Sequence, residues 1–215
     1  MEEYYRRRAE ECEAVYDRAD PARRAEIKLL SQAAQEALRG RRVLEVACGT
    51  GYWTRLVSQT AREIIATDSV EEVLNVARRK TYHCPVTFRL ENAYRLSSGA
   101  EAFDGGLANF WFSHIPKHRI DRFIAGFHRT LQPQSSVFLA DNVLVPDVGG
   151  ELISRAGDDN TYRRRTLRDG SEHVIIKNYY PAEDLSAIFG QHVPGLRAAN
   201  VFIGQHFWHI TYRLP

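Results

Sequence analysis

Apolar residues along the chain follow two alternating patterns, which predict strands and helices in turn. Short runs rich in β-branched residues predict strands at 43–47, 63–67, 86–90, 104–110 and 136–142. Apolar residues spaced three or four apart predict helices between them, at 52–59, 70–80 and 118–131. Connections of this length favour parallel crossovers, so the middle of the chain predicts a doubly wound parallel sheet.

The two ends of the chain have patterns of their own. Residues 1–19 and 22–38 predict two helices separated at Asp20-Pro21, where the aspartate caps the second helix and the proline takes its first position. After Pro146 the chain is polar and rich in arginine as far as Ser171. The remaining pattern predicts a strand at 173–177, a helix near 181–189, and closing strands near 198–203 and 206–213 with a tight turn at Gly204-Gln205.

Composition predicts one compact domain. The chain has 215 residues, of which 44% are hydrophobic and 26% charged, enough to bury a sizeable core. A net charge of +2 and a single dense basic run, Arg163-Arg164-Arg165, exclude a dedicated nucleic-acid binder. Three widely separated cysteines favour the reducing cytoplasm, and no run approaches the ~18 apolar residues of a membrane span. No metal site is predicted.

One segment combines a strand, a glycine turn and a helix start, in the run Val43 to Thr54. Gly49 and Gly51 let the backbone turn tightly at the carboxyl end of the strand, where open α/β sheets bind ligands. The next strand ends in Asp68, whose carboxylate can accept hydrogen bonds from both hydroxyls of a ribose. An aspartate here can equally cap the following helix, and the two roles are compatible.

These residues resemble a known family. Glu45-Val46-Ala47-Cys48-Gly49-Thr50-Gly51 is similar to the E/DxGxGxG motif of the class I S-adenosylmethionine-dependent methyltransferases, of the small-molecule type. The dinucleotide fingerprint GxGxxG is disfavoured, because Ala47 takes its first glycine position and Trp53-Thr54 cover its third. Later motifs follow in the family's order: Asp68, Glu91-Asn92-Ala93, and a fourth strand at 103–110.

The resemblance implies a fold and a division of the chain. The fold is α/β and Rossmann-like, with a doubly wound, mostly parallel seven-stranded sheet and an antiparallel C-terminal hairpin strand. A single methyltransferase domain is expected over 1–215. Its parts are N-terminal cover helices at 1–38, a cofactor-binding core at 40–145, a substrate-side insertion at 146–180, and a final helix and hairpin at 181–215.

The resemblance also implies the cofactor S-adenosyl-L-methionine, with S-adenosyl-L-homocysteine as product. Cofactor contacts are expected from Glu45, Ala47, Gly49, Gly51, Trp53, Asp68, Ser69, Asn92, Ala93, Asn109 and Phe110. Glu45 should organise the turn near the methionine ammonium, and Asp68 should bind the ribose. Asn92 and Ala93 should contact adenine, while a backbone carbonyl at Asn109 or Phe110 should meet the methionine end. For Ala93, core packing is an equally good explanation.

Candidates on the acceptor side come from chemistry. His114 follows the fourth strand, where its imidazole can act as the catalytic base for an attacking O–H or N–H, although it can also cap a helix or pack in a loop. The other substrate candidates are Tyr5 and Tyr16 in the cover segment, Trp111, and Tyr162, Arg163 and Arg165 in the insertion. Arginine forks suit an anionic acceptor, whereas a surface hairpin of alternating charge explains the same pattern.

The absence of two motifs typical of nucleic-acid methyltransferases limits the class of acceptor. No D/N-PP-Y/F motif follows the fourth strand, and Cys84-Pro85 reverses the order of a cytosine carbon-5 nucleophile. These absences favour a small molecule that is methylated on O, N, S or C, and an in-line displacement is expected. Hydrophobic and cationic residues near the expected lid favour an aromatic or anionic acceptor. The protein is expected to be a monomer or homodimer. Two alternatives stay open: a non-catalytic S-adenosylmethionine-binding protein and a nicotinamide-dependent oxidoreductase.

Overall fold

The central element of the molecule is a seven-stranded sheet. The computed structural model describes residues 1–16, 20–97, 103–146 and 148–215. Its strands are β1 (Arg42–Val46), β2 (Glu63–Asp68), β3 (Val86–Leu90), β4 (Phe103–Asn109), β5 (Leu131–Asn142), β6 (Leu152–Arg155), β7 (Asp158–Thr166), β8 (Glu172–Ile176), β9 (Val201–Ile203) and β10 (Phe207–Arg213). The large sheet has the order β3-β2-β1-β4-β5-β10-β9. The first five strands are parallel and β10 is antiparallel to both neighbours, which confirms the predicted fold class.

Helices cover both faces of this sheet. They are α1 (Glu2–Arg8), α2 (Pro21–Ala37), α3 (Tyr52–Val57), α4 (Glu71–Arg78), α5 (Ile120–His128) and α6 (Ala182–Gly190). Along β1, Val43 packs with residues of α2 and α3, whereas Leu44 and Val46 pack with residues of α5 and α6. Burial on both faces explains why this strand is a nearly continuous apolar run.

The start of α2 follows the capping rules. The Asp20 side chain accepts a hydrogen bond from the Arg23 backbone N–H at 3.1 Å, and Pro21 occupies the first helical position. The predicted cap is therefore confirmed. Among the described residues, no helix has the length and apolar character needed to cross a bilayer.

The insertion contains a second, three-stranded sheet of order β6-β7-β8. Only β8 was predicted from an apolar run, whereas the antiparallel pair β6 and β7 corresponds to the alternative interpretation of this stretch as a surface hairpin of alternating charge. β7 was predicted as a polar stretch, since its inward positions are Arg163 and Arg165 rather than aliphatic residues. The Asn178 backbone N–H donates to the Ser113 carbonyl at 2.8 Å, and its side chain donates to the Ile115 carbonyl at 3.0 Å. These bonds dock the small sheet against the segment that follows β4.

The N-terminus forms a cover segment, residues 1–16, instead of one regular helix. Helix α1 gives way to a 3₁₀ helix at Ala9–Val15, and the predicted end of the first helix, 17–19, lies outside the described residues. A 3₁₀ helix rises ~2.0 Å per residue against ~1.5 Å for an α-helix. The 3₁₀ winding therefore makes the segment longer than an α-helix of the same number of residues, and both Tyr5 and Tyr16 line the cavity described next.

Candidate functional site

A large cavity lies beyond the carboxyl ends of β1, β2, β4 and β5. Its volume is about 1190 Å³, and the cover segment forms its roof. Single small-molecule sites typically occupy roughly 300–1,000 Å³. The cavity is therefore large enough for a nucleoside-sized cofactor and a second small molecule, at the position where doubly wound sheets bind ligands.

The glycine turn after β1 forms one wall of this cavity. Gly49 has φ +56°, and a Cβ atom built there meets nothing within 4 Å, so its backbone faces open space. Gly51 has φ +77°, but a Cβ there meets the Tyr82 hydroxyl at 2.5 Å and Ala77 at 3.1 Å. Gly49 thus leaves room for a ligand, whereas Gly51 allows the turn to pack against α4 and Tyr82.

Asp68 is held by the turn and the next helix start. Its Oδ2 accepts the Gly49 backbone N–H at 2.9 Å, and its Oδ1 accepts the Val70 backbone N–H at 3.0 Å. Desolvation by the surrounding protein raises the pKa of Asp68 to about 6, although the hydrogen bonds from these backbone N–H groups lower it. Each carboxylate oxygen keeps a lone pair that can accept from a ribose hydroxyl. The alternative role, a cap of the following helix, is not observed: the N-cap residue of α4 is Val70, and no side chain makes a capping hydrogen bond there.

One side of the cavity lies beyond β2 and β3, where the family resemblance implies the adenine. Ser69, Asn92 and Ala93 line it there, as the family resemblance implies. The Asn92 side-chain oxygen accepts the Tyr94 backbone N–H at 2.9 Å. This bond orients the carboxamide and leaves its N–H₂ group free to donate to a ring nitrogen of adenine.

Glu45 lies behind the cavity wall rather than on it. Only 2% of the residue is exposed, and its Oε2 has no hydrogen-bond partner. Burial raises the pKa of Glu45 to about 8. The carboxyl is consequently neutral over much of the physiological range, and it lies beneath the glycine turn instead of on the cavity wall.

Replacing Glu45 by glutamine should change how stability depends on pH. The folded protein binds a proton at Glu45 that the unfolded chain, with a pKa of 4.5, releases, so wild-type stability decreases as pH rises from about 4.5 to 8. Glutamine does not ionise, so the stability of the variant does not decrease with pH through this position. Its free energy of unfolding relative to wild type should therefore rise with pH, by at most about 1.4 kcal/mol per pH unit. Urea denaturation at pH 5.5, 6.5 and 7.5 measures the difference, and a flat or falling difference would contradict the burial argument.

The end of β4 contributes an unsatisfied polar group and an aromatic wall. Asn109 is 7% exposed, and neither its Oδ1 nor its Nδ2 has a hydrogen-bond partner. Phe110 follows at φ +58°, and its ring stacks on Trp53 with centroids 5.6 Å apart. The Trp111 indole N–H is also buried without a partner. Unsatisfied buried groups of this kind cost stability, by about 1–3 kcal/mol each, unless a ligand completes them.

The cover segment is attached at both ends of the cavity. The Tyr16 hydroxyl accepts the Trp53 indole N–H at 3.1 Å, and the Tyr16 ring stacks on Tyr52 at 3.8 Å. Glu13 accepts a hydrogen bond from the Thr50 hydroxyl at 2.7 Å. At the other end, Tyr5 and His114 are hydrogen-bonded, with 2.9 Å between the hydroxyl and Nε2.

The hydrogen bonds of His114 fix its tautomer. Nδ1 lies 2.7 Å from the Ile176 carbonyl oxygen, which only accepts, so Nδ1 carries the hydrogen. Nε2 is then the acceptor, and the Tyr5 hydroxyl donates to it. Burial and the Lys177 ammonium hold the pKa of His114 well below its usual value. His114 is therefore a neutral acceptor that holds Tyr5 in place.

The opposite wall is basic. The Lys177 ammonium donates to Asp141 at 2.9 Å and to the Ser113 hydroxyl at 2.7 Å, and both Lys177 and Asp141 are buried. Arg165 lies beside this pair, half-buried, and donates to the Gly149 carbonyl. Its Nε is buried without a partner, and no carboxylate among the described residues pairs with it. This wall presents an uncompensated positive charge to the cavity.

Most residues predicted from the sequence line this one cavity. On its wall are Tyr5, Tyr16, Ala47, Gly49, Trp53, Asp68, Ser69, Asn92, Ala93, Asn109, Phe110, Trp111, His114 and Arg165. Glu45, Gly51, Tyr162 and Arg163 are not. The Tyr162 hydroxyl donates to Asp158 on the far side of the small sheet, and Arg163 donates to the Gly150 carbonyl and to the Tyr179 hydroxyl. Arg163 thereby supports Tyr179, which does line the cavity.

Some site residues carried no sequence signal of their role. Asp141 is separated from Lys177 by 36 residues and belongs to no motif. Arg8 lines the cavity from the cover segment and belongs to no motif. For the basic wall, the sequence offered one signal. Arg163 and Arg165 are two residues apart, so they lie on the same face if the segment is a strand.

Comparisons with known proteins agree with this geometry. A family model described as a methyltransferase domain matches residues 43–134. DhpI in complex with SAH is 26% identical, with a TM-score of 0.76, covering 100% of this chain and 95% of DhpI. A DhpI complex with SAM and HEP is 25% identical, with a TM-score of 0.72 and coverage of 99% and 95%. No curated protein matches the chain.

A more distant solved structure shows the same fold. SAM-bound CalS10 from Micromonospora echinaspora, an amino pentose methyltransferase involved in calicheamicin biosynthesis, is 17% identical. Its TM-score is 0.55, and the match covers 87% of this chain and 90% of CalS10. At this identity the likeness concerns the fold.

Proposed function

The chain belongs to the class I S-adenosylmethionine-dependent methyltransferases, and from this premise we propose that it methylates a small anionic molecule. The observation that carries the proposal is Arg165, a half-buried cation on the cavity wall that pairs with no carboxylate among the described residues. A guanidinium in such surroundings needs a counter-charge, and an anionic acceptor supplies it. The cavity volume and the DhpI complex with SAM and HEP support a second ligand beside the cofactor.

We propose that the cofactor lies across the ends of β1 and β2. Asp68 accepts the ribose hydroxyls, and Ser69, Asn92 and Ala93 surround the adenine. The cofactor supplies a methyl group on a sulfonium, already activated for displacement. The aromatic rings of Trp53, Phe110 and Tyr16 exclude water from that part of the cavity.

The acceptor side aligns the nucleophile rather than ionising it. An anionic oxygen needs no base before attack, and His114 is a neutral acceptor engaged by Tyr5. We therefore propose that His114, which the sequence indicated as a base, positions Tyr5 against the acceptor. Arg165 and the third proton of the Lys177 ammonium hold the anion, so that transfer depends mainly on orientation.

A methyl-transfer assay tests the function. The purified protein is incubated with S-adenosylmethionine labelled in the methyl group and with a panel of small organic acids, each paired with its neutral amide. Label should appear in one or more acids and not in the amides. Equal labelling of acids and amides would contradict an anionic acceptor, and binding of the cofactor without any labelled product would favour a non-catalytic binding protein.

Arg165 and its neighbour Arg164 provide a matched pair of variants. Arg164 lies on the opposite face of β7, where it pairs with Glu151 and Glu172 on the surface. Arg165→Met should raise the KM for the acceptor roughly 10- to 100-fold, because a charge-assisted hydrogen bond is lost. Arg164→Met should leave it within about twofold. Steady-state kinetics of both variants measures the KM for the acceptor. Equal changes in KM for the two variants would contradict a direct role of Arg165 in binding the acceptor.

We also propose a cytoplasmic location. Cys12, Cys48 and Cys84 are all free thiols, as is usual for proteins of a reducing compartment. Fractionation of cells that express the protein checks this location.

A further inference from the structure

Tyr179 has a hydroxyl hydrogen that no described residue accepts. The tyrosine follows β8, two residues after Lys177, and it lines the cavity. Its oxygen accepts a hydrogen bond from the Arg163 Nε at 3.0 Å, so the hydroxyl hydrogen is directed away from the guanidinium. The described residues offer no acceptor for this hydrogen. The hydroxyl is therefore free to donate to a ligand in the cavity.

The charge of Arg163 is buried behind this hydroxyl. The arginine is 3% exposed, and no carboxylate in the described part of the chain pairs with it. Its guanidinium donates to the Gly150 carbonyl, and its central carbon lies 5.5 Å from the centre of the Tyr179 ring. Hydrogen bonds in a chain polarise one another, and they do so more strongly where water is excluded. Arg163 thus fixes the Tyr179 oxygen and makes the hydroxyl a stronger donor.

A turn of two glycines holds both inward arginines of β7. The Gly149 carbonyl accepts from Arg165, and the Gly150 carbonyl accepts from Arg163. The two glycines have φ +93° and +87°, and a Cβ atom on Gly150 would overlap the Arg164 carbonyl oxygen. The turn therefore needs glycine. Because the two arginines are two residues apart on one strand, the turn fixes both guanidiniums on the same face of the small sheet.

We propose that Tyr179 is a specificity-determining residue of the acceptor site and that Arg163 is its positioning residue. The Tyr179 hydroxyl donates to an oxygen of the anionic group, beside the charges of Arg165 and Lys177. Arg163, which the sequence indicated as a substrate contact, acts through Tyr179 instead of touching the acceptor. Donors from three different residues favour an anion with several acceptor oxygens. The inference rests on the anionic acceptor proposed above.

Binding of inorganic phosphate to the complex with S-adenosylhomocysteine tests the inference. Phosphate presents several oxygens, and this form of the cofactor has no methyl group to transfer. Isothermal titration calorimetry at pH 7 should give a Kd for phosphate about tenfold higher, or more, for Tyr179→Phe than for wild type. The Kd for S-adenosylhomocysteine should stay within twofold. Tyr162→Phe, which removes a hydroxyl that donates to Asp158 outside the cavity, is the matched control and should bind phosphate as wild type does.

A double-mutant cycle separates positioning from charge. Arg163→Met should weaken phosphate binding about as much as Tyr179→Phe does. The double variant should bind no more weakly than either single variant, because both changes remove the same oriented hydroxyl. A further loss in the double variant would show that Arg163 acts by its charge and would overturn its positioning role. Arg163→Lys keeps the charge without the planar fork, so it replaces Arg163→Met if methionine unfolds the small sheet, and wild-type phosphate affinity in this variant would also contradict positioning.

The outcomes distinguish this inference from the proposed function. Equal phosphate affinity in wild type and Tyr179→Phe, together with weaker binding by Arg165→Met, would overturn the role of Tyr179 and leave the anion site in place. Absence of phosphate binding by wild type would contradict the anionic acceptor itself and this inference with it. Phosphate binding that Arg165→Met leaves unchanged would do the same, because the anion would then lie elsewhere.

Discussion

Replacing Asp68 by alanine should weaken S-adenosylmethionine binding by about 10²- to 10⁴-fold, because two charge-assisted hydrogen bonds to the ribose are lost, each contributing about 1.5–3 kcal/mol. The same change removes the acceptors of the Gly49 and Val70 backbone N–H groups. Isothermal titration calorimetry measures the loss. Unchanged affinity would mean that Asp68 only holds the glycine turn and the chain that leads into α4.

The pH dependence of binding gives an independent check on Asp68. Because its pKa in the ligand-free protein is raised to about 6, the carboxyl must release a proton to accept the ribose hydroxyls at lower pH. Affinity should therefore fall as pH decreases below 6, approaching tenfold per pH unit. Asp68→Asn should bind more weakly and lose this dependence. Asp121→Ala, on the surface where it pairs with His192, is the control and should bind as wild type does.

The sequence predicted the large sheet well because its inner strands β1, β2 and β4 are buried on both faces and are therefore nearly continuous apolar runs. β3 was predicted at its observed bounds, and β1 differs by one residue at each end. The three-stranded sheet was predicted only at β8, because β7 carries arginine where a core strand carries aliphatic residues. Burial of an arginine depends on partners distant in the chain, such as the Gly150 carbonyl that holds Arg163. Local hydrophobic periodicity contains no such information.

The candidate site also has one part that the sequence predicted and one part that it did not. The cofactor half follows a motif with short spacings, so Gly49, Asp68 and Asn92 were predicted and lie on the cavity wall. The half proposed for the acceptor is lined by the cover segment, the end of β5 and the small sheet. Asp141 and Lys177 meet there only after the chain has folded. Their pairing had no local signal to predict it.

The ion pair between Lys177 and Asp141 joins the small sheet to the large one. Asp141 is fully buried and also accepts the backbone N–H groups of Ser113 at 2.8 Å and Asn142 at 2.7 Å. The Lys177 ammonium, with these donors, outweighs burial and lowers the pKa of Asp141. Asp141 therefore stays ionised, and its stability in the interior depends on Lys177.

Lys177→Met should destabilise the protein by about 3–5 kcal/mol, because it leaves a buried carboxylate without its counter-charge. For a chain of this length, the melting temperature should fall by roughly 6–20 °C. Differential scanning calorimetry at pH 7 measures the change. Arg79→Met, which breaks an exposed pair with Glu10, should cost less than about 1 kcal/mol and serves as the control.

A double variant separates the charge from the contact. Lys177→Met with Asp141→Asn removes both charges, so it should recover most of the stability that the single change loses. If the double variant is as unstable as Lys177→Met, packing of the lysine stem rather than its charge holds the small sheet in place. A stable double variant should nevertheless bind the acceptor weakly, because the ammonium that faces the cavity is absent. Recovery of folding without recovery of acceptor binding would therefore assign Lys177 two separate roles, one in joining the sheets and one in holding the anion.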